Sequence, residues 1–334
     1  MSKPGSITSS VQKPRRPQAG QLAAIVAPSA SGRHLSAAAY QRASRRLHDL
    51  GLRVRPGRYL ADGDNDLVAA EKRAEDFMAA VNDQEVGLIM AVYGGYNAID
   101  VLPLLDYEAI ARERKVLMGF SDITTLLAAL LTRARLSSFH GPNFATLGEP
   151  ALHDFTWQGI RRALGPGGNT LRDPGVSAED AWFRNAPGER RAWSHCRWTA
   201  FRQGRSSGPL VGGNLPSLIS LAGTPYFPDC RDAIILVEVN IGSNPAEVDR
   251  GMAQLALMGV FDHAAGIVVG AGDKEMELRL PRILEKSVLP KVRGPVLTGV
   301  QCSHVDPLMT LPYGAAVTLH ADDMEISYHS ALDD

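Results

Sequence analysis

The chain has 334 residues, 45% of them hydrophobic and 21% charged, which suits a globular protein of about two domains. With 35 basic and 36 acidic side chains, and a formal net charge of −1, nothing in the charge balance points to a nucleic-acid or membrane-surface partner. No apolar run approaches the roughly 20 residues that span a bilayer, and the three cysteines, Cys196, Cys230 and Cys302, form no spaced pair for zinc or a disulfide framework, so a reduced, cytoplasmic setting is expected.

Residues 1–20 are rich in Ser, Pro, Lys and Arg and lack an apolar signal core, which predicts a disordered leader. Residues 22–27 read as a first strand stopped by Pro28-Ser29. A helix is expected over 36–50, a strand at 52–54 and a helix over 71–82. The run 86–92 is a buried strand ending in Tyr93-Gly94-Gly95-Tyr96-Asn97, and a helix is expected near 98–105. Val116-Leu117-Met118-Gly119 is a further short strand, and 124–131 a further helix. Strands alternating with helices predict a parallel sheet covered on both faces, with sites beyond the carboxyl ends of the strands. Residues 21–165 therefore form an expected N-terminal domain. Residues 166–208, polar, Arg-rich and carrying Trp182, Trp193 and Trp198, form a connector of irregular or antiparallel strand structure. A second domain is expected over 209–330, with strands at 234–239, 266–270, 295–297 and 316–319 and a helix over 246–258.

Four positions carry candidate chemistry. Ser121, in Phe120-Ser121-Asp122-Ile123, stands where a strand turns into a helix, which lifts its hydroxyl out of the sheet onto free N–H groups at the helix start. Ser and Asp are also favoured helix caps, so a capping role fits the same residues. Gly94-Gly95 permits a sharp turn and close approach to a ligand, and N–H groups there and at Asp122 would make an oxyanion hole; an ordinary turn reads equally well, and the spacing is not that of a phosphate-binding loop. Glu238 ends an apolar strand, where a carboxylate needs a partner such as an imidazole, unless it is simply exposed. His304 sits in a loop from which it can take a proton from a serine. His140 competes with it, but lies in the half that already holds Ser121 and is read as structural or cleft-lining. Cys302, two residues before His304, is disfavoured as a nucleophile because short loops rarely align neighbouring reactive atoms.

Together these segments resemble the LD-carboxypeptidase family of serine peptidases, which includes the microcin-C immunity hydrolases. The likeness runs from about residue 22 to 318. It rests on Ile25-Val26-Ala27-Pro28-Ser29, Gly94-Gly95-Tyr96, Leu102-Pro103-Leu104-Leu105-Asp106-Tyr107, Gly119-Phe120-Ser121-Asp122-Ile123-Thr124 and Phe139-His140-Gly141-Pro142. It continues through Gly212-Gly213-Asn214-Leu215 and Gly223-Thr224-Pro225 to His304, Pro307 and Thr310-Leu311-Pro312-Tyr313-Gly314. The resemblance implies an α/β fold: a flavodoxin-like N-terminal domain with a parallel sheet and a smaller β-rich C-terminal α/β domain. It implies a triad of Ser121, His304 and Glu238 assembled across the two, an oxyanion hole from N–H groups at Gly95 and Asp122, a cytoplasmic homodimer, and no metal or other cofactor.

Tyr93 and Asn97 stand where many LD-carboxypeptidases carry Arg and Gly, and Val239 where an acidic residue is usual. Asn97 and Cys302-Ser303-His304 resemble the immunity branch. Ile123 replaces the second Gly of a Gly-x-Ser-x-Gly elbow, which sets the chain apart from general α/β-hydrolases. The expected reaction is cleavage of an amide bond, foremost release of a terminal D-amino acid from murein tetrapeptide. The alternative substrate is a peptidyl or aminoacyl nucleotide amide. Gly94, Tyr96, Asn97 and Trp182 are candidate substrate contacts, Trp182 by stacking on a base. A non-catalytic protein using the same cleft to hold a small ligand is the alternative of another class.

Overall fold

The computed structural model describes residues 11–62, 68–179, 193–239 and 242–334. In the N-terminal half, β1 (Leu22–Val26) and β3 (Val86–Ala91) are buried at every position. This is the pattern of parallel strands covered on both faces, and it explains why they read as continuous apolar runs. With β2 (Arg53–Pro56), β4 (Val116–Gly119) and β5 (Ser138–His140) they form a parallel array in the order β2-β1-β3-β4-β5. Helices α1 (Ala37–Asp49), α2 (Ala70–Asn82), α3 (Tyr107–Glu113) and α4 (Thr124–Ala129) connect or cover them. Side-chain caps start two of these: Ser36 Oγ accepts from the Ala39 N–H and Asp106 from the Ala109 N–H. The order reverses between β1 and β3, and in open parallel sheets the crevice beyond the carboxyl ends at such a reversal is where ligands bind.

After α5 (Asp154–Leu164) come β6 (Asn169–Arg172), β7 (Val176–Glu179), β8 (Ser194–His195) and β9 (Thr199–Arg202). The C-terminal half then runs β10 (Arg205–Asn214), α6 (Leu215–Ser220), β11 (Ile234–Glu238), α7 (Pro245–Leu257), β12 (Gly266–Gly270), α8 (Lys274–Ser287) and β13 (Val296–Val300). It closes with β14 (Val305–Asp306), β15 (Leu311–Tyr313), β16 (Ala316–His320) and β17 (Glu325–Tyr328). Strands β10 to β13 are parallel neighbours, and β15 pairs with β5 antiparallel, Leu311 opposite His140. One large, mostly parallel sheet therefore runs through both halves, while β14, β7 and β8 form a small antiparallel sheet beside it. Among the described residues, no helix is long and apolar enough to cross a membrane.

Several elements differ from their sequence reading. Residues 98–105 form a 3-10 turn, Ala98–Leu104, because Pro103 removes a helical donor. The long strand β10 was not anticipated, since its Gly and Pro residues disguise it, and it crosses the expected boundary at 208/209. Helices α5 and α8 were also not anticipated; α8 contains Pro281. Residues 11–20, expected within a disordered leader, lie against the body. The Gln12 N–H donates to the Arg135 carbonyl at 2.7 Å, the Arg15 N–H to the Arg114 carbonyl at 2.8 Å, and Arg16 Nε to Asp334 at 2.7 Å. Composition reports the polarity of such a segment, but not the partners that satisfy it.

Candidate active site

Ser121 sits where β4 ends and a short helical turn, Ser121–Ile123, leads into α4. Its φ is +64°, a left-handed conformation that costs a non-glycine residue about 1–3 kcal/mol and persists only where the surroundings enforce it. Five non-glycine residues among those described have positive φ, and Ser121 is the buried one, at 8% exposure. The enforcement is visible on both sides. The Phe120 N–H donates to Asn143 Oδ1 at 3.2 Å, and α4 behind is buried at every position. Thr124 Oγ1, at the start of α4, accepts from the Asn214 N–H at 2.9 Å, so β10 holds the helix from the C-terminal half.

The Gly94-Gly95 turn packs directly on this serine. A Cβ placed on Gly94 would lie 2.7 Å from Ser121 Cβ, 2.8 Å from Ser121 Oγ and 3.4 Å from the Asp122 nitrogen. Gly95 has φ +147°, and a Cβ there would lie 2.3 Å from Ser29 Oγ. Both glycines are therefore demanded by close approach, and the second also by its backbone. Tyr96, just beyond, is 64% exposed.

Glu238 is fully buried at the end of β11. Its Oε1 lies 2.8 Å from His304 Nδ1 and accepts from Asn214 Nδ2 at 3.0 Å, while its Oε2 accepts from the Ser121 N–H at 3.2 Å. A lone carboxylate there would be costly, and removing a partner from a buried pair costs about 3–5 kcal/mol. Burial is the largest influence on its pKa and pushes it up, but the His304 charge and hydrogen bond, His140 and the Asn214 amide together hold it below the ordinary Glu value. The His304 ring lies 5.1 Å, centroid to centroid, from the ring of Phe120, the residue before Ser121 in the chain. Its loop is fixed by Ser303 Oγ, which accepts from the Val239 N–H at 3.1 Å. The structure thus gathers Ser121, Glu238, His304 and the Gly94-Gly95 turn in one place, from both halves of the chain.

His140, read from the sequence as structural or cleft-lining, packs into the interior. It is fully buried, its Nε2 lies 2.9 Å from the Cys302 carbonyl, and burial lowers its pKa despite Glu238 nearby. Burial likewise pushes the Cys302 thiol well above its usual value, the opposite of what an activated nucleophile needs. Trp198 is a packing anchor whose Nε1 donates to Gln301 Oε1 at 2.6 Å, and Trp182 lies outside the described residues. The sequence reading gave no role to Asn214, which both holds Glu238 and caps α6 through its Oδ1 on the Ser217 N–H at 3.3 Å. An Asn just before Leu-Pro is a helix-start signal that marks the cap, but nothing local marks the carboxylate it also reaches.

The chain belongs to the LD-carboxypeptidase family: residues 23–141 match the family's N-terminal domain and residues 207–319 its C-terminal domain. It is accordingly a hydrolase. The microcin C7 self-immunity protein MccF of Escherichia coli is 30% identical over 271 residues, 77% of this chain and 78% of that protein. A solved structure of MccF in complex with aspartyl sulfamoyl adenosine superposes with a TM-score of 0.86 at 26% identity, covering 96% of this chain and all (100%) of that one. An MccF-like protein from Bacillus anthracis superposes with a TM-score of 0.88 at 25% identity, over 94% of this chain and 98% of that one. The murein tetrapeptide carboxypeptidase of Pseudomonas aeruginosa is 30% identical over 199 residues, 59% of this chain and 58% of that protein.

Proposed function

We propose that the protein cleaves an amide bond by an acyl-enzyme route, with Ser121 as nucleophile, His304 as general base and Glu238 as the carboxylate that orients it. The position of Glu238 carries this reading: one buried carboxylate holds the His304 imidazole and the Ser121 peptide N–H together. With Nδ1–H directed at Glu238, the lone pair of His304 falls on Nε2, the nitrogen left for the serine hydroxyl. Nε2 takes the Ser121 proton as Oγ attacks the carbonyl carbon, and then delivers it to the leaving amine. Water repeats the sequence on the acyl-enzyme and frees the acid. The N–H groups of Gly95 and Asp122 receive the transient oxyanion; the closeness of Gly94 to both Ser121 Oγ and the Asp122 nitrogen supports this placement.

The first substrate reading is release of the terminal D-amino acid from a murein tetrapeptide, in keeping with the family and the Pseudomonas relative. The second, an aminoacyl or peptidyl nucleotide amide, is favoured by MccF, which matches 77% of the chain against 59% at the same identity. In either case Gly94, Tyr96 and Asn97 are the proposed substrate contacts. Turnover of both substrates by one preparation tests the proposal. Release of D-alanine supports the first reading, and cleavage of aspartyl sulfamoyl adenosine without D-alanine release replaces it with the second. Turnover of neither, with no labelling of Ser121 by a fluorophosphonate, rejects the mechanism.

A further inference from the structure

Two buried charged side chains, Asp122 beside Ser121 and Arg73 on α2, take no part in the chemistry above. Asp122 is 3% exposed, and its carboxylate accepts three hydrogen bonds from three separate segments. Its Oδ2 takes the Ser29 hydroxyl at 2.6 Å and the Ala98 N–H at 2.8 Å, and its Oδ1 takes the Ser217 hydroxyl from α6 at 3.2 Å. Arg73, on α2, is also 3% exposed. Its Nη1 donates to the Pro28 carbonyl at 2.8 Å and to the Asn97 carbonyl at 2.9 Å, its Nε to the Val68 carbonyl at 3.2 Å, and its Nη2 meets Asp100 at 3.3 Å.

The two charges act on the same two places. The peptide between Asn97 and Ala98 has its C=O on the Arg73 guanidinium and its N–H on the Asp122 carboxylate. The Pro28-Ser29 corner has its C=O on Arg73 and its hydroxyl on Asp122. Each charge faces the matching end of a peptide dipole, in bonds roughly twice as strong as neutral ones. The Gly94-Gly95 turn lies between these fixed points: the Gly94 carbonyl accepts from the Ala30 N–H at 3.0 Å, and Gly95 packs against Ser29. Burying two charges is a poor way to gain stability when apolar side chains of similar volume would pack as well. It is an effective way to fix backbone that must aim its N–H groups.

We infer that Asp122 and Arg73 are positioning residues that clamp one peptide plane and one corner, and so set the oxyanion pocket at Gly94-Gly95. This rests on the hydrolase mechanism proposed above. Asp122 then works twice, its N–H facing the oxyanion and its carboxylate aligning the opposing donor.

The test uses the full chain and reads kcat, KM and the rate at which a fluorophosphonate labels Ser121. Arg73→Met and Asp122→Ala are expected to lower kcat and labelling by on the order of tenfold to a hundredfold while KM stays within about twofold, the split expected when transition-state donors are misplaced. Asp122→Asn keeps an oxygen on the Ala98 N–H and restores most of the rate. Ala74→Gly weakens the same helix without touching the turn, and is expected to lower Tm and leave kcat unchanged. Should the larger changes prevent folding, Ser29→Ala removes only the hydroxyl that reaches Asp122 at 2.6 Å and Asn97 Oδ1 at 3.3 Å, and is expected to lower kcat severalfold at constant KM. Wild-type kcat in Arg73→Met or Ser29→Ala, a loss confined to KM, or an equal loss of kcat in Ala74→Gly overturns the inference. Failure of the underlying mechanism shows separately, as a wild-type protein in which Ser121 is not labelled.

Discussion

The two sides of the site are built on different physics. On the N-terminal side, the Gly94-Gly95 turn and Ser121 come from neighbouring strands, and their fit is steric: a left-handed serine packed on a glycine with no room for one more carbon. On the C-terminal side, Glu238 comes from the end of β11 and His304 from a loop, and their fit is electrostatic: a fully buried carboxylate held below the ordinary Glu pKa by its neighbours. The first side fails when an atom is added, the second when a charge is removed. The Ser121 N–H on Glu238, linking residues 117 positions apart, is where the two sides meet.

Substitutions should separate the two modes. Ser121→Ala removes the proposed nucleophile and is expected to lower kcat by on the order of 10⁴- to 10⁶-fold without changing the fold, checked by turnover and circular dichroism. Glu238→Gln keeps shape but loses the charge. A loss of about 10³- to 10⁴-fold in kcat is expected, and a loss below tenfold would show that His304 needs no carboxylate. Gly94→Ala adds the forbidden carbon, and a loss of about 10²- to 10³-fold is expected, with a crystal structure showing Ser121 or the turn displaced.

Acid stability probes the electrostatic side alone. The folded pKa of Glu238 lies below its unfolded value near 4.3, so its ionised form adds stability that is complete at neutral pH. That contribution drains away as pH falls from the unfolded pKa through the lowered folded one. Tm measured against pH should fall in this window for the wild type and be flatter there for Glu238→Gln. The smallest effect belongs to Cys302→Ala, expected to keep kcat within roughly twofold, because a buried thiol with a raised pKa is neither nucleophile nor reactive target. Rapid inactivation of the folded protein by a thiol reagent would contradict this.

Much of the N-terminal half could be read from the chain because its strands are buried on both faces and bounded by glycine or proline. β1, β3 and β4 fall within a residue of their expected positions. β10 could not be read, because its glycines and proline carry the marks of a loop while its neighbours β11 and β16 supply the pairing. The leader was misread over 11–20 for a related reason: its partners, among them Arg114, Arg135 and Asp334, are far away in sequence. Asn214, Arg73 and the Asp122 carboxylate escaped as functional candidates because each is defined by what it touches across the fold.

The sequence by itself determined the alternation of apolar runs and turns, hence a parallel α/β sheet, and the residue types able to perform amide hydrolysis, because periodicity and backbone freedom are local properties. Tertiary structure alone decided that β5 and β15 would join the halves into one sheet, that Glu238 would lie buried between His304 and the Ser121 N–H, and that Asp122 and Arg73 would grip the same peptide. These depend on which distant segments meet, and the free energy of a buried charge is set by its partners rather than by its place in the chain.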